Sequence, residues 1–311
     1  MIYDKRVFAI VVLYNPHIPT LIRLIDSVRH QVIHIVLVDN SILNDIKDSI
    51  SETLAQTDAT FTYLDLGDNF GIATAHNKGI ELAIKKNATH VLLLDQDSAL
   101  PSNMVDDLMT LHLELLSDGH KVSALGPSFL DEKTNELAKI IRHRHLMTKR
   151  ISPDESKNFM IADYIISSGS LISTEVLRKV GLMDEKLFID RVDIEWCIRA
   201  KQYGYTCYVA PQVIMKHSVG DGFVSVGERK TNLHSDFRNY FIVRNSAYLA
   251  VYGQVPISFR VPQFGKIPLY ILFYSYHSKK PLYSLGLLTK AVLDGVFQNM
   301  GKGHFKRGLN N

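Results

Sequence analysis

Two aspartates, Asp95 and Asp97, stand one residue apart directly after the apolar run over residues 91–94. Carboxylate oxygens are the ligands that hard divalent cations prefer, and protein-bound Mg²⁺ usually shares its coordination shell with substrate phosphates. The pair therefore predicts a metal–diphosphate site. The structural alternative is that Asp97 and Ser98 cap a helix that begins near Pro101.

A second acidic stretch holds three carboxylates within six residues, Asp190, Asp193 and Glu195, at the start of a predicted helix. A carboxylate near a metal–diphosphate site can act as a general base by accepting the proton of an attacking hydroxyl. We predict that at least one of the three is catalytic, with Asp193 as the first candidate. Structural alternatives stay open, because acids stabilise a helix N-terminus and Glu195 can pair with Arg199 at the surface, four residues on.

A lone histidine, His217, follows a predicted strand over residues 205–210 and the short stretch 214–216. From the residues alone it is either a third metal ligand, a contact to the diphosphate, or a structural histidine.

The elements that position these residues follow from the hydrophobic pattern. Short apolar runs alternate with segments of helical spacing, which predicts a doubly wound, mostly parallel sheet with helices on both faces. The predicted strands cover residues 7–13, 35–38, 60–65, 89–95 and 122–126, and the predicted helices cover 19–29, 42–55, 73–86 and 103–116. In such sheets ligands bind beyond the carboxyl ends of the strands. The residues expected at that common rim are Tyr14, Asn15, Asp39, Asn40, Asp65, Asp95, Gln96 and Asp97.

The alternation stops between residues 131 and 159, where we expect either a flexible loop on the acceptor side or a solvated excursion. Its basic cluster, at residues 142–145, makes a poor metal site because neighbouring cations disfavour another cation. Further on, residues 161–172 read as one interrupted strand and residues 175–180 as a short helix.

Composition and charge narrow the function classes. Of the 311 residues, 46% are hydrophobic and 22% charged, as in ordinary globular proteins. Cys197 and Cys207 offer neither a disulfide framework nor a zinc site, which fits a reducing cytosol. The N-terminus lacks a signal-peptide pattern, and the sequence has no apolar run long enough to span a membrane.

The net charge of +3 conceals an asymmetry. The segment from Phe237 to the end carries ten Lys and Arg and one acid, Asp294, among many aromatic residues. Basic residues interleaved with aromatics favour a membrane surface or an anionic substrate. No nucleic-acid motif is present, so we expect no nucleic-acid partner.

These motifs, in this order, resemble family 2 glycosyltransferases of the GT-A fold. The resemblance rests on D-Q-D-S after a strand, on F-I-D-x-V-D-x-E-W-C-x-R-A and on K-H, preceded by V-D-N-S and D-N-F-G-I-A-T-A-H-N-K-G-I. Two C-terminal segments, F-R-N-Y-F-I-V-R-N and A-V-L-D-G-V-F-Q-N-M-G-K, are similar to those of bacterial rhamnosyltransferases that use dTDP-L-rhamnose. The resemblance covers essentially the whole chain.

The resemblance implies a role for each matching residue. It implies that Asp97 binds Mg²⁺ or Mn²⁺, that Asp95 contacts the metal or the ribose, and that His217 joins the metal or diphosphate shell. Gln96 occupies the middle position of the D-x-D element, where many relatives have Asp. Asp193 matches the catalytic base. The positions that match nucleotide-binding loops are Tyr14, Asn15, Asp39, Asn69 and Gly71, and we expect Asp95 and Gln96 to contact the nucleotide as well.

The resemblance also implies an activity and a setting. We expect an inverting transferase that moves a sugar, L-rhamnose from dTDP-L-rhamnose, to a lipid-linked saccharide in O-antigen or capsule synthesis. Residues 1–236 would form the catalytic domain. Residues 237–311 would form a helical region that attaches to the anionic inner face of the cell membrane, from the cytoplasm, or that mediates homo-oligomerisation.

Rival activities lack their motifs. A sugar-nucleotide pyrophosphorylase needs a Gly- and Arg-rich loop after the first strand, and a nicotinamide dehydrogenase needs G-x-G-x-x-G there. The loop at residues 14–17 contains neither. Two alternatives remain: a GT-A transferase that uses a different nucleotide sugar, and a non-catalytic GT-A-like assembly subunit.

Overall fold

The computed structural model describes residues 5–42, 50, 52, 59–131, 134–144, 147–217, 222–226 and 229–307. Side chains are described for these residues except 144, 217, 222–226, 229–232 and 306–307. The predicted helix over 42–55 lies almost entirely outside the described residues.

The strands of the first half lie where the hydrophobic pattern predicts them, and most of their residues are buried. Residues of β1 alternate between two hydrophobic cores: Phe8 and Ile10 face one, and Ala9 and Val11 face the other. A strand buried on both faces needs this continuous apolar run. The strands are β1 (Val7–Leu13), β2 (His34–Asp39), β3 (Phe61–Asp65), β4 (His90–Asp95), β5 (Val122–Asp131), β6 (Glu136–Leu137), β7 (Ile140–Arg144), β8 (Met147–Ile151), β9 (Met160–Ala162), β10 (Ser170–Ser173), β11 (Thr206–His217), β12 (Gly222–Val226) and β13 (Arg229–Leu233).

The helices of the described chain cover both faces of the sheet and then form a C-terminal group. In α1, the buried residues Leu21, Leu24, Ile25 and Val28 fall on one face, which is the spacing that made the helix predictable. The helices are α1 (Ile18–Val28), α2 (Ile72–Lys85), α3 (Met104–Ser117), α4 (Thr174–Val180), α5 (Val192–Gln202), α6 (Asp236–Tyr252), α7 (Ile257–His277) and α8 (Pro281–Val296).

The central sheet has the order β3-β2-β1-β4-β10-β5-β11-β9, with β6 paired to β5. Strands β1, β2, β3 and β4 are mutually parallel, as are β5 and β11, whereas β10 and β9 run antiparallel to their neighbours. The predicted doubly wound, mostly parallel sheet is therefore confirmed.

The register of the parallel strands aligns their polar ends. Leu13 pairs with Asp39, Asp39 pairs with Asp65, and Val12 pairs with Asp95. The polar ends of these four strands therefore lie at one carboxyl edge of the sheet, as expected.

Two predictions for the middle of the chain were wrong. Residues 131–159 contain the antiparallel hairpin β7–β8 instead of a flexible loop, although the exposure of every β8 residue agrees with the alternative of a solvated excursion. Polar residues on both faces of the hairpin hid the strand period. Residues 161–172 are not one interrupted strand, because β9 pairs with β11 while β10 pairs with β4 and β5.

The C-terminal helices α6, α7 and α8 pack on one another around Tyr240, Phe241 and Leu288, which are buried. The same cluster includes Phe188, which precedes the second acidic stretch, so α6 touches the segment that carries Asp190 and Asp193. The division of the chain at residue 236 stays a prediction. None of the described helices combines the length and apolar character needed to cross a membrane.

Candidate active site

The first loop of the rim is joined to the D-Q-D element by its middle residue. The Gln96 side chain accepts a hydrogen bond from the Tyr14 backbone N–H at 2.8 Å and donates one to the Tyr14 carbonyl at 3.1 Å. Asn15 donates its backbone N–H to Ser41 at 2.8 Å. An amide offers both a donor and an acceptor, which a carboxylate does not, so Gln96 serves here as a connector between two loops.

Asp39 is buried at the end of β2, and protein donors fix its carboxylate. Oδ1 accepts the backbone N–H of Ser41 at 2.9 Å, and Oδ2 accepts the hydroxyl of Tyr63. Burial and the Asp39 carboxylate together raise the pKa of Tyr63. The carboxylate is thus held rigidly at the position matched to a nucleotide-base contact.

A hydrogen-bonded amide pair shapes the second loop. Asn40 Nδ2 donates to Asn69 Oδ1 at 3.0 Å, and the same oxygen accepts the Gly71 backbone N–H at 3.0 Å. Gly71 has φ +87°, and a Cβ built on it would lie 2.5 Å from Phe188 Cδ2. The loop needs glycine there because the second acidic segment passes directly over it.

The helix-cap alternative for Asp97 and Ser98 is wrong. Helix α3 begins at Met104 with Asn103 as its N-cap residue. Ser98 is buried and hydrogen-bonded to Ser168 Oγ at 2.7 Å. The Asp97 side chain is exposed and makes no hydrogen bond or ion pair with any described residue, so it is available to an external ligand.

The second acidic segment enters α5 through an unusual backbone. Phe188, Asp190 and Arg191 all have positive φ, at 64°, 62° and 68°, and α5 begins only at Val192. The prediction that all three acids lie at the start of the helix was therefore wrong for Asp190. Its carboxylate instead pairs with Arg238, with Oδ1 2.6 Å from Nη2.

Asp193 lies in the first turn of α5, half-buried, with Oδ1 accepting the backbone N–H of Ile194 at 2.8 Å. Burial raises the pKa of the Asp193 carboxyl to about 6, and the negative charges of Asp190 and Asp95 add to the shift. The second acidic segment thus brings Asp193 within electrostatic range of Asp95. A carboxyl whose pKa lies near the working pH is suited to general-base chemistry.

Glu195 faces away from this rim into an internal ion pair. Its two oxygens accept hydrogen bonds from Arg199 at 2.7 and 3.0 Å, and both residues are buried. Arg199 also donates to the carbonyls of Val180 and Leu182. The predicted i, i+4 pair exists, but it lies in the interior and not at the surface. This engagement removes Glu195 from the candidates for the base.

The carboxylates at the rim suit a divalent cation. Proteins commonly bind Mg²⁺ through one or two carboxylates together with water and substrate phosphates. Asp97, exposed and unengaged, and Asp95, half-buried at the same strand end, fit that pattern. The described residues contain no group of three or more His, Cys, Asp or Glu side chains placed to hold a metal. The side chain of His217 lies outside the described part, so its metal role stays a prediction.

Two residues that hold the segment leading to Asp193 escaped the sequence analysis. The buried Arg244 guanidinium donates to the carbonyls of Leu187 and Gly301 at 2.8 and 2.6 Å. Asn245 donates to the carbonyls of Leu187, Ile189 and Asp190 at 2.8–3.0 Å. Both residues belong to the F-R-N-Y-F-I-V-R-N segment, so the motif was visible in the sequence but its role was not.

Comparison with known proteins agrees with this geometry. The model of glycosyl transferase family 2 matches residues 8–181. The dTDP-rhamnosyl transferase RfbF of Shigella flexneri is 30% identical over 305 residues, which cover 97% of this chain and 99% of the relative. The chain belongs to glycosyl transferase family 2. It is a glycosyltransferase with a rhamnosyltransferase as a full-length relative.

Solved structures support the GT-A fold. The mannosyltransferase PcManGT from Pyrobaculum calidifontis, in complex with GDP-Man and Mn²⁺, superposes with a TM-score of 0.54 at 18% identity, over 95% of this chain and 76% of that one. TarS 1–349 from S. aureus, in complex with UDP, gives a TM-score of 0.55 at 15% identity, over 94% and 82% of the two chains.

Proposed function

We propose that this glycosyltransferase moves L-rhamnose from dTDP-L-rhamnose to an acceptor hydroxyl with inversion of the anomeric centre. The donor follows from the full-length relative, a dTDP-rhamnosyl transferase. The observation that carries the mechanism is the placement of Asp193, which is half-buried at the start of α5, has a raised pKa and lies within electrostatic range of Asp95.

In this mechanism the nucleotide lies along the rim, with the Asp39 carboxylate facing the base and the loop of Asn69 and Gly71 beside it. Asp193 accepts the proton of the acceptor hydroxyl. The hydroxyl oxygen then forms a bond to the anomeric carbon while the bond from that carbon to the diphosphate oxygen breaks on the opposite side. The products are the glycoside and dTDP, with the proton on Asp193.

A divalent cation completes the proposed site. Mg²⁺ or Mn²⁺ on Asp97 and Asp95, with His217 as a further proposed ligand, would stabilise the negative charge of the leaving diphosphate. The Mn²⁺ complex of the mannosyltransferase of the same fold supports a metal of this class.

A donor screen tests this function. Purified protein with Mn²⁺ or Mg²⁺ is titrated calorimetrically with dTDP-, UDP- and GDP-sugars, and hydrolysis of each donor is followed. We expect dTDP-L-rhamnose to bind most tightly and to be hydrolysed only with metal present. Tightest binding and turnover of another donor would mean a different nucleotide sugar. Binding without turnover of any donor, by wild type, would favour a non-catalytic subunit.

We further propose that the acceptor is a lipid-linked saccharide in cell-surface polysaccharide synthesis, met at the anionic inner face of the cell membrane. The outer face of α7 supports this, because Val261, Phe264, Leu272 and Tyr276 recur at helical spacing and each is more than half exposed. The single acid in residues 257–297, Asp294, is buried and bonded to Tyr240 and Lys290. An apolar face flanked by Lys without an exposed acid suits an anionic interface.

Vesicle sedimentation tests the membrane proposal. The double variant Phe264→Glu/Leu272→Glu should lose binding to phosphatidylglycerol vesicles, whereas Ile33→Glu, at an exposed apolar residue far along the chain, should keep it. Wild-type binding should also weaken as salt rises, because exposed charges are screened. Absence of vesicle binding together with a dimeric mass that the double variant makes monomeric would show a homo-oligomer interface instead.

A further inference from the structure

A cluster of tyrosines and cations lies beside Asp193 and takes no part in the donor chemistry described above. Its members come from separate parts of the chain, and we call it the tyrosine–cation cluster: Arg150, Tyr164, Arg191, Lys266, Tyr270 and Tyr274.

Arg191 forms the centre of the cluster, two residues before Asp193. Its Nη2 donates to the Tyr270 hydroxyl at 3.3 Å, and its guanidinium carbon lies 5.7 Å from the centroid of the Tyr270 ring. Tyr270 in turn stacks on Tyr274, with ring centroids 5.8 Å apart. That hydrogen bond is the one that the Arg191 side chain makes within the described chain, so its remaining donors are open to a ligand.

Helix α7 brings a second cation to the same face. Lys266, Tyr270 and Tyr274 are spaced four residues apart, which places them along one side of the helix. This is the side opposite the exposed apolar stripe, so α7 presents one face to the proposed membrane surface and the other to Arg191.

The hairpin β7–β8 brings a third cation, Arg150, to the cluster. His143 packs against Tyr164 and Phe259, with ring centroids 6.0 and 5.6 Å away. In the hairpin His143 pairs with Thr148, and Arg150 lies two residues beyond Thr148 on the same strand. Since side chains alternate along a strand, Arg150 shares the face of His143 and Lys149 lies on the opposite face.

The positive charges of the cluster change the pKa values of its tyrosines. Although burial raises the pKa of the Tyr270 hydroxyl, the charges of Arg191, Lys266 and Arg150 outweigh it and lower that pKa. Burial, with the Asp193 charge adding to it, raises the pKa of Tyr164 to about 12. Tyr164 therefore lies within electrostatic range of both Asp193 and Arg150.

Arg150, Arg191 and Lys266 have no carboxylate partner among the described residues. A neutral sugar alone would not account for three such positive charges beside one site. Asp190, whose charge acts on Tyr274, is already paired with Arg238. Guanidinium and ammonium groups are the donors that bind phosphate oxygens best. Tyrosine hydroxyls and rings, by contrast, suit the hydroxyls and apolar faces of a sugar.

We propose that the tyrosine–cation cluster is the acceptor subsite and that it binds a phosphate-linked sugar. Arg191, Tyr164 and Tyr270 hold the sugar so that one hydroxyl meets Asp193, and Arg150 and Lys266 hold the phosphate. This assignment rests on the proposed function, in which Asp193 takes a proton from the acceptor.

Farnesyl diphosphate is the probe, with uncharged farnesol as its comparison. Binding is measured calorimetrically with saturating dTDP and Mg²⁺, so that the donor site is already filled. We expect farnesyl diphosphate to bind wild type at least tenfold more tightly than farnesol. Arg150→Gln and Lys266→Gln should each weaken that binding about tenfold. Lys149→Gln, on the same strand but the opposite face, should leave it unchanged.

Comparisons of farnesol binding, dTDP affinity and vesicle binding test the proposal. Equal binding of farnesol, or an equal effect of Lys149→Gln, would overturn the proposal. Affinity for dTDP, measured separately, should not change in the Arg150 and Lys266 variants, and a large loss would place these cations in the donor site instead. Binding to phosphatidylglycerol vesicles should fall no more for Arg150→Gln than for Lys149→Gln, since a larger fall would assign the charge to lipid headgroups.

The failure of this proposal is distinguishable from failure of the proposed function. Farnesyl diphosphate binding reports on the cluster without donor turnover, whereas the donor screen reports on the rim without an acceptor.

Discussion

Replacing Asp193 with asparagine should stabilise the fold while nearly abolishing transfer. The folded protein raises the pKa of this carboxyl from its ordinary 3.8 to about 6, chiefly through burial. The unfolded chain ionises at the lower pKa, so the folded state loses stability as the pH rises from about 4 to about 6. At pH 8 the full cost is present, and the shift corresponds to about 3 kcal/mol at most.

The side-chain amide introduced by Asp193→Asn has nearly the same shape as the carboxylate and carries no charge. We expect the variant to unfold with a free energy about 1 to 3 kcal/mol higher than wild type at pH 8, and with a smaller gain at pH 5. Transfer should fall on the order of 10²-fold or more, as loss of a general base typically does. Calorimetric affinity for dTDP should change little.

Urea unfolding at pH 5 and pH 8 measures the stability change, with Asp118→Asn as the control because Asp118 is exposed at the end of α3. The control should show neither the gain at pH 8 nor the loss of transfer. A destabilised Asp193→Asn at pH 8 would refute the burial of a charged carboxylate. A large loss of dTDP affinity would move Asp193 into the donor site.

The remaining predictions concern the proposed metal ligand, a loop glycine and a buried histidine. Asp97→Asn should abolish transfer and metal-dependent nucleotide binding while leaving the unfolding midpoint unchanged, and activity within about tenfold of wild type would contradict the metal assignment. Gly71→Ala should lower the free energy of unfolding by more than the roughly 1 kcal/mol that backbone strain costs, and should raise KM for the donor, because the new Cβ meets Phe188. Gly67 also has positive φ but has open space around it, so Gly67→Ala should lose only the strain energy. Equal losses of stability in the two variants would contradict the Phe188 contact. His76 is fully buried with both ring nitrogens unpartnered, and burial lowers its pKa to about 4, so stability should fall as the pH drops from 6.5 to 4. Between pH 7 and pH 5, the free energy of unfolding of His76→Leu, measured with urea, should therefore fall by about 2 kcal/mol less than that of wild type. Equal falls would show that His76 does not cause the pH dependence.

The first half of the fold could be predicted because its signals are local. Each residue of β1 faces one of two cores, which requires the continuous apolar run that the sequence displays. Once the strands are parallel, their carboxyl ends coincide, so Asp39 and Asp95 had to meet at one rim. The role of Gln96 could not be predicted, because it depends on a hydrogen-bonded pair with Tyr14, 82 residues away.

The second half depends on contacts that no local pattern reveals. Asp190 leaves the helix because the backbone before α5 takes positive φ values. Arg244 donates to the Leu187 carbonyl and Asn245 to the Asp190 carbonyl, and both donors lie more than 50 residues later in the chain. The hairpin β7–β8 has polar residues on both faces, so period-two alternation was absent. Sequence reasoning therefore named Asp193 as the candidate base, but it could not find Arg244, Asn245 or the tyrosine–cation cluster.

The central claim is that this chain catalyses inverting rhamnosyl transfer with Asp193 as the base. The most direct measurement is NMR analysis of the product formed from dTDP-L-rhamnose and a phosphate-linked acceptor, by wild type and by Asp193→Asn. We expect wild type to give a rhamnoside whose anomeric configuration is opposite to that of the donor, and the variant to form it at least 10²-fold more slowly. A product with retained configuration, or a variant within about tenfold of wild type, would contradict the claim.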